Sequence, residues 1–84
     1  MDQQEVRVRE ILLDVLTVKP EDITREASLA EDLGASSLDL IDIMTEMENG
    51  FRIEITEEQA AELLTLQNIL DFLRQAPGAV ERGG

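Results

Sequence analysis

The first segment of the chain has the apolar spacing of an amphipathic helix. Its apolar residues recur at intervals of three and four: Val8, Ile11, Leu12, Val15 and Leu16. This spacing places them on one helical face and predicts a helix over residues 3–16. Proline cannot continue the hydrogen-bond ladder, so Lys19-Pro20-Glu21 is expected to end this helix. Residues 21–36 show only weak periodicity and predict a long connection, which apolar side chains are expected to pin to the core: Ile23, Leu29 and Leu33.

A second amphipathic helix is predicted from about residue 37 to Asn49-Gly50, a dipeptide that often ends helices. Ser36 can cap its N-terminus, and Asp39 lies three positions later, close to a capping-box arrangement. One stripe of this helix is apolar: Leu40, Ile43, Met44, Met47 and Phe51. The roughly opposite stripe is acidic: Asp39, Asp42 and Glu46. Leu38 falls beside the acidic stripe, and a leucine in that position indicates a contact surface.

Two further helices are predicted in the C-terminal half. Thr56-Glu57-Glu58-Gln59 forms a capping box, which predicts a short helix over residues 57–63. Thr65 can cap a fourth helix, whose apolar residues have helical spacing and which Pro77-Gly78 is expected to end: Leu66, Ile69, Leu70 and Leu73. No alternating pattern longer than residues 52–55 suggests a strand. The predicted fold is all-α, a four-helix bundle with three longer helices, one short helix and a long first loop. It occupies residues 1–76, and residues 77–84 are expected to form a flexible tail.

The composition excludes several classes of function. The 84 residues suffice for one domain. Without cysteine or histidine, the chain has no disulfides, no thiolate or histidine metal sites and no histidine-dependent catalytic triad. The carboxylates do not have the spacing of an EF-hand loop, so no metal site is expected. Only Phe51 and Phe72 are aromatic, which leaves no stacking platform for nucleic-acid bases. The remaining chemistry favours a binding or carrying role over catalysis.

The net charge of −12 comes almost entirely from the centre of the chain. The segment from Glu26 to Leu73 contains twelve acidic residues and one basic residue, Arg52. Such a field disfavours nucleic acids and anionic membranes, and it steers a basic protein partner into contact. No apolar run reaches the ~20 residues of a membrane span, and the acidic N-terminus does not resemble a signal peptide. The cytoplasm is therefore the expected location, without membrane insertion.

The segment Leu33-Gly34-Ala35-Ser36-Ser37-Leu38-Asp39 resembles the attachment motif of the acyl carrier proteins. The resemblance extends to about Leu73 and includes three more segments: Val18–Ile23, Glu48–Phe51 and Glu57-Glu58. The family motif is typically Gly-Ala-Asp-Ser-Leu, and its serine, which corresponds to Ser37 here, bears 4′-phosphopantetheine. A helix N-terminus at this serine would favour the phosphate, because its backbone N–H groups lack partners. The arm would supply the thiol that this chain lacks.

The resemblance implies a carrier rather than an enzyme. It would hold acyl intermediates as thioesters on Ser37 for fatty-acid, polyketide or related synthesis. The implied partners are a phosphopantetheinyl transferase and acyl-activating, synthase or acyltransferase enzymes with basic docking patches, and a monomer is expected. Ser36 replaces the family's usual aspartate, which removes a negative charge and suggests a specialised carrier with its own partners. Ser36 is either a competing attachment site or a helix cap in the aspartate's place.

The same resemblance implies two surfaces around the second helix. The partner-docking face comprises Leu38, Asp39, Asp42, Glu46 and Glu48. Asn49 and Gly50 stand where the family often has further acids, so docking is expected to be weaker or narrower than usual. The acyl pocket would lie between the second and third helices and comprise Leu40, Met44, Met47, Phe51, Ile55, Ala60 and Leu63. Periodicity cannot separate these residues from an ordinary core.

Three alternatives stay open at the level of sequence. The first is a carrier of aminoacyl or peptidyl groups on the same fold, which thioester-loading assays would distinguish. The second is a small acidic interaction module without a prosthetic group. The third arises from Arg82-Gly83-Gly84, which looks like the end of a ubiquitin-like modifier. Those modifiers need a strand-rich fold, whereas this sequence has helical patterns throughout.

Overall fold

The computed structural model describes residues 2–75, which form four α-helices and one short 3-10 helix. The α-helices are α1 (Gln3–Val15), α2 (Ser37–Phe51), α3 (Glu57–Glu62) and α4 (Leu66–Gln75), and the 3-10 helix is Pro20–Asp22. No strand occurs in this part of the chain, only an isolated bridge between Ser28 and Thr65. The all-α prediction, with three longer helices and one short helix, is confirmed. Pro77-Gly78, the predicted tail and Arg82-Gly83-Gly84 lie outside the described residues.

Local capping chemistry sets three of the helix starts. The Oγ of Ser36 accepts a hydrogen bond from the N–H of Asp39 at 3.1 Å, and the Asp39 carboxylate accepts the Ser36 N–H at 3.0 Å. Thr56 and Gln59 make the same reciprocal pair at α3, with N–H to oxygen distances of 3.1 and 3.0 Å. Thr65 caps α4 by accepting the N–H of Asn68 at 3.1 Å. The predicted caps are therefore confirmed, and each satisfies backbone N–H groups that have no partner within the helix.

The end of α2 differs from its prediction. The Asn49-Gly50 dipeptide does not stop the helix, which continues to Phe51 and ends at Arg52 with a left-handed φ of 57°. The reason is tertiary packing, because the extra helical residue, Phe51, is wholly buried in the core. No helix between residues 2 and 75 is long and apolar enough to cross a membrane.

The core lies where the apolar faces of the helices meet, with α1 packed against both α2 and α4. The wholly inaccessible residues come from all three longer helices and the first loop: Val8, Leu12, Leu29, Ile43, Met47, Phe51, Leu66 and Ile69. Ile23, Leu29 and Leu33 are all buried, which confirms that the long connection is pinned to the core. Each fully buried large side chain contributes roughly 1.5–3 kcal/mol through removal of apolar surface from water.

Backbone hydrogen bonds fasten the long connection to the turn between α3 and α4 and to the first turn of α4. The Leu29 N–H donates to the Leu64 carbonyl at 2.9 Å, and the Gln67 N–H donates to the Arg25 carbonyl at 2.9 Å. A segment with weak periodicity is therefore ordered through partners that are distant in sequence. These hydrogen bonds fix the path of the segment that leads into the start of α2.

A buried carboxylate links α1 to the same connection. Glu5 is only 2% exposed, and Arg9 donates to its Oε2 from Nε and Nη2 at 3.0 and 2.9 Å. Arg25 donates to both Glu5 oxygens, and Arg9 also donates to the Ile23 carbonyl at 2.6 Å. Hydrogen bonds from Arg25, and then from Arg9, lower the pKa of Glu5 to about 2 against the opposing effect of burial. This ionic cluster was not predicted from the sequence.

Candidate functional site

The turn before α2 positions the two adjacent serines. Leu33 and Ala35 are both buried, and Gly34 between them has a φ of 72°, a left-handed conformation that side chains disfavour. The Leu33 N–H donates to the Ser28 carbonyl at 3.0 Å, and the Ala35 N–H donates to the Leu29 carbonyl at 2.8 Å. The backbone immediately before α2 is therefore fixed on both sides of the glycine.

The two serine hydroxyls have different surroundings. Ser36 is occupied as the N-cap, because its Oγ accepts the Asp39 N–H. Ser37 is the first residue of α2 and is exposed, and its hydroxyl has no hydrogen-bond partner among residues 2–75. Ser36 thus has the predicted capping role, while the hydroxyl of Ser37 stays accessible.

The first turn of α2 suits an anionic group attached beside it. The N–H groups of Ser37 and Leu38 make no hydrogen bond within the described part of the chain, whereas the Asp39 N–H is capped. Open N–H groups and the positive end of the helix dipole both favour a phosphate. The residues present therefore fit a phosphodiester on the Ser37 oxygen.

The exposed face of α2 combines apolar and acidic side chains. Leu38 is 73% exposed and Ile41 is 60% exposed, and Asp42 and Glu46 are exposed on the same helix. Ile41 was not predicted as part of this surface. Its position could have been recognised from the sequence, because Ile41 is an apolar residue that lies outside the main apolar stripe of α2.

The other two acids of the predicted docking face have structural partners. Asp39 is half-buried and belongs to the capping box with Ser36. Glu48 is half-buried, and its Oε2 accepts the N–H of Ile55 at 2.9 Å. These two carboxylates are therefore tied to the backbone, whereas Asp42 and Glu46 are not hydrogen-bonded within residues 2–75.

An apolar cavity of about 460 Å³ lies between α2, α3 and the long connection. Five of the predicted pocket residues line it: Leu40, Met44, Ile55, Ala60 and Leu63. Met47 and Phe51 do not line it, because both are wholly buried in the core on the inner side of α2. The cavity is thus bordered by five of the seven residues predicted for the acyl pocket.

Several residues of the cavity wall were not anticipated from the sequence. Leu29 and Ala30 contribute from the long connection, which has no helical periodicity to reveal them. Ile41 and Leu64 also line the cavity, and both are 60% exposed, so they lie where it opens to solvent. Glu48 completes the wall next to Ile55.

A second groove, of about 680 Å³, lies between α1 and the C-terminal half of α2. Most of its lining is charged or polar, with Arg7, Glu10, Asp14 and Glu46 among the contributors. Hydrocarbon would gain little there, because burial of apolar groups against charged side chains also removes those charges from water. The smaller cavity beside α3 is the one whose chemistry suits an apolar ligand.

Comparison with known proteins agrees with this site. The family model for the phosphopantetheine attachment site matches residues 6–73, which span α1 to most of α4. The helical fold and this family match therefore define a phosphopantetheine-bearing carrier rather than an enzyme.

The chain is also 42% identical over 81 residues to the acyl carrier protein of Thermosynechococcus vestitus, a match that covers 94% of this chain and 100% of that protein. The chain belongs to the acyl carrier protein family. Its role is acyl carriage, and phosphopantetheine is its prosthetic group. The alternatives of an interaction module without a prosthetic group and of a strand-rich modifier are thereby excluded.

Proposed function

We propose that Ser37 is the attachment residue and that the protein carries acyl thioesters between enzymes of fatty-acid, polyketide or related synthesis. The bound arm supplies the terminal thiol that forms the thioester. The chain itself contributes a hydroxyl nucleophile, a helix N-terminus for the phosphate, an acidic docking face and an apolar cavity beside them.

The contrast between adjacent hydroxyls carries this proposal. The Ser36 oxygen is engaged with the Asp39 N–H at 3.1 Å, so its use as a nucleophile would disrupt the capping box. The Ser37 oxygen is exposed and lacks a hydrogen-bond partner within residues 2–75, so its modification leaves the cap intact. Attachment at Ser37 therefore requires no rearrangement of α2.

Mass measurement tests the attachment residue directly. The apoprotein would be incubated with coenzyme A and a phosphopantetheinyl transferase, and the products analysed by intact mass and peptide mapping. We expect the wild type and the matched control Ser36→Ala to gain one phosphopantetheine group and Ser37→Ala to gain none. Modification of Ser37→Ala, or an adduct mapped to Ser36 in the wild type, would overturn the assignment.

We further propose that the exposed face of α2 docks basic patches on the transferase and on synthase or acyltransferase enzymes. Asp42 and Glu46 supply accessible charge, and Leu38 supplies an apolar anchor beside Ser37. Exposed ion pairs contribute only ~0–1 kcal/mol each, so summed attraction and rapid exchange fit a shuttle better than a stable complex. Asp39 and Glu48 add charge to this region while holding their backbone partners.

Charge neutralisation tests the docking face. The variant Asp42→Asn/Glu46→Gln is expected to raise the KM of the transferase reaction and to weaken its dependence on salt. Its unfolding free energy should change little, because both side chains are exposed. A variant on α3 that also removes two exposed charges, Glu58→Gln/Glu62→Gln, should leave the KM unchanged. Equal effects from both variants would contradict a specific face.

The apolar cavity is proposed to shelter the acyl chain. Transfer of a hydrocarbon from water contributes about 0.8 kcal/mol for each buried methylene. The predominantly apolar wall formed by Leu40, Met44, Ala60 and Leu63 favours acyl over aminoacyl cargo, since an ammonium group there would lose its hydration. Loading by acyl-activating and aminoacyl-activating enzymes, compared on the holoprotein, tests this preference.

A monomer in the cytoplasm is the proposed working state. The net charge of −12 supports the monomer, because two copies with this charge repel each other at low ionic strength. Light scattering at low and high salt tests it, and a stable dimer at low salt would contradict it.

A further inference from the structure

Glu48 receives several hydrogen bonds from the connection between α2 and α3. Its main-chain carbonyl accepts the N–H of Arg52 and the N–H of Ile53, the latter at 3.2 Å. Its carboxylate Oε2 accepts the N–H of Ile55 at 2.9 Å. Glu48 therefore accepts all the hydrogen bonds that join residues 52–55 to α2 in the described part of the chain.

This connection is also a wall of the cavity. Ile55 and Thr56 line the apolar cavity together with Glu48. On the other side of the connection, Glu48 also lines a groove with Ile53 and Phe72. The Glu48 side chain thus lies between the cavity and this groove. The connection would have to move at this position for the cavity to open toward the groove.

Apolar packing also holds the connection, because Ile53 and Ile55 contact the edge of the core. Ile53 and Ile55 are only half-buried, Glu54 is exposed, and Arg52 has a φ that its side chain disfavours. A hydrogen bond to a charged acceptor is stronger than a neutral one, so the Ile55–Glu48 contact is a major restraint on this segment.

We propose that Glu48 is a positioning residue that clasps the α2–α3 connection over the cavity and sets how firmly the cavity holds an acyl chain. This inference rests on the proposed function of the cavity. It gives Glu48 a role beyond adding charge to the docking face: the carboxylate acts on the cargo through the backbone of Ile55, without contacting a partner enzyme.

Three variants separate the clasp from its charge. Glu48→Gln keeps a side-chain oxygen that can accept the Ile55 N–H, whereas Glu48→Met has similar length and no comparable acceptor. Glu54→Met removes one charge from the same connection, at an exposed side chain without a hydrogen bond in the described residues. Each would be measured as apoprotein, as holoprotein and as octanoyl-loaded holoprotein.

Two readouts report on the clasp. The first is amide hydrogen exchange at Ile55 in the apoprotein, which needs no cargo. We expect Glu48→Met to exchange at least about tenfold faster than wild type, the factor that corresponds to about 1.4 kcal/mol, and Glu48→Gln and Glu54→Met to stay protected. The second is the rise in unfolding temperature on octanoylation, which we expect to shrink in Glu48→Met alone.

The outcomes distinguish this inference from the function on which it rests. If octanoylation does not stabilise even the wild type, the cavity is not the cargo site, and Ile55 exchange alone judges the clasp. If octanoylation raises the unfolding temperature of the wild type and of Glu48→Met by the same amount, the proposed role of Glu48 is wrong. If Glu48→Met does not fold, amide exchange at Ile55 in the wild type still tests the proposal. Exchange as fast as that of an unstructured amide would contradict it.

Discussion

Replacement of Glu5 by glutamine tests how much one buried ionic cluster contributes to stability. The Glu5 carboxylate is 2% exposed and receives hydrogen bonds from the guanidinium groups of Arg9 and Arg25. Because Arg9 also binds the Ile23 carbonyl at 2.6 Å, the cluster fastens α1 to the long connection. Glu5→Gln keeps the shape of the side chain and removes the charge that both arginines bind.

The magnitude follows from the pKa of Glu5. The arginines lower that pKa from an ordinary value of 4.5 to about 2, and each pH unit is equivalent to about 1.4 kcal/mol. Ionisation of Glu5 in the cluster therefore contributes at most ~3.5 kcal/mol. The Arg25 side chain is 46% exposed, so solvent screening reduces this toward ~2 kcal/mol. For a domain whose total stability is of order 5–15 kcal/mol, that loss is large.

The sign of the pH dependence is also defined. A carboxyl whose pKa is lowered on folding stabilises the protein above its ordinary pKa and loses that stabilisation as protons bind. The contribution of Glu5 should thus be complete above about pH 5 and should disappear as the pH falls from about 4.5 to about 2. Acidification also neutralises other carboxylates and relieves their mutual repulsion, so only the difference between wild type and variant isolates Glu5.

Urea denaturation followed by circular dichroism at several pH values provides the assay. We expect Glu5→Gln to lose ~2–3 kcal/mol at pH 7 and to approach the wild type near pH 2. The matched control is Glu10→Gln on the same helix, whose carboxylate is 63% exposed and pairs with Arg7 at 3.8 Å. It should change stability by less than about 0.5 kcal/mol. A Glu5→Gln deficit that is absent at pH 7, or undiminished near pH 2, would refute the reasoning.

Three further changes have defined outcomes. Arg52→Gly should stabilise the protein by up to about 1 kcal/mol in urea denaturation, because glycine tolerates the φ of 57° that ends α2; destabilisation would contradict the assigned backbone strain. Ser36→Ala should cost about 1 kcal/mol through loss of the cap at α2, whereas Ser37→Ala should cost little; the reverse order would contradict the capping assignment. Ala60→Trp should fill part of the cavity and reduce the rise in unfolding temperature on octanoylation, and an unchanged rise would place the chain elsewhere.

The parts of the structure that follow from short-range chemistry were predictable from the sequence. Ser36 with Asp39, Thr56 with Gln59, and Thr65 each mark a helix start through contacts that span three residues. The motif around Ser37 lies at such a start, so its candidate role and its position on the helix could be predicted together. The absence of a hydrogen-bond partner for the Ser37 hydroxyl within residues 2–75 could not be predicted, because it depends on which of the two serines caps α2.

The features that needed the structure depend on long-range packing. Gly50 was expected to stop α2, yet burial of Phe51 extends the helix past it. Glu5 has the helical spacing of Val8 and Leu12, but the burial of a carboxylate there depends on Arg25, which lies twenty residues away. Leu29 and Ala30 line the cavity from a segment without periodicity. Each of these features depends on packing between parts of the chain that are distant in sequence, and local sequence patterns do not report such contacts.

The division of α2 between core and cavity shows this limit most clearly. Met44 and Met47 both lie on its apolar side, about 60° apart around the helix axis at 100° per residue. Met47 faces the inner packing and is wholly buried, whereas Met44 is half-buried and lines the cavity. Hydrophobic spacing indicates only that both side chains are removed from water. The elements that pack on either side of α2 decide which of the two lines the cavity. α1 packs closely against α2, while α3 is a short helix that joins α2 through a connection held by Glu48. The apolar cavity therefore lies on the side of α2 where the neighbouring helix is short and less closely packed.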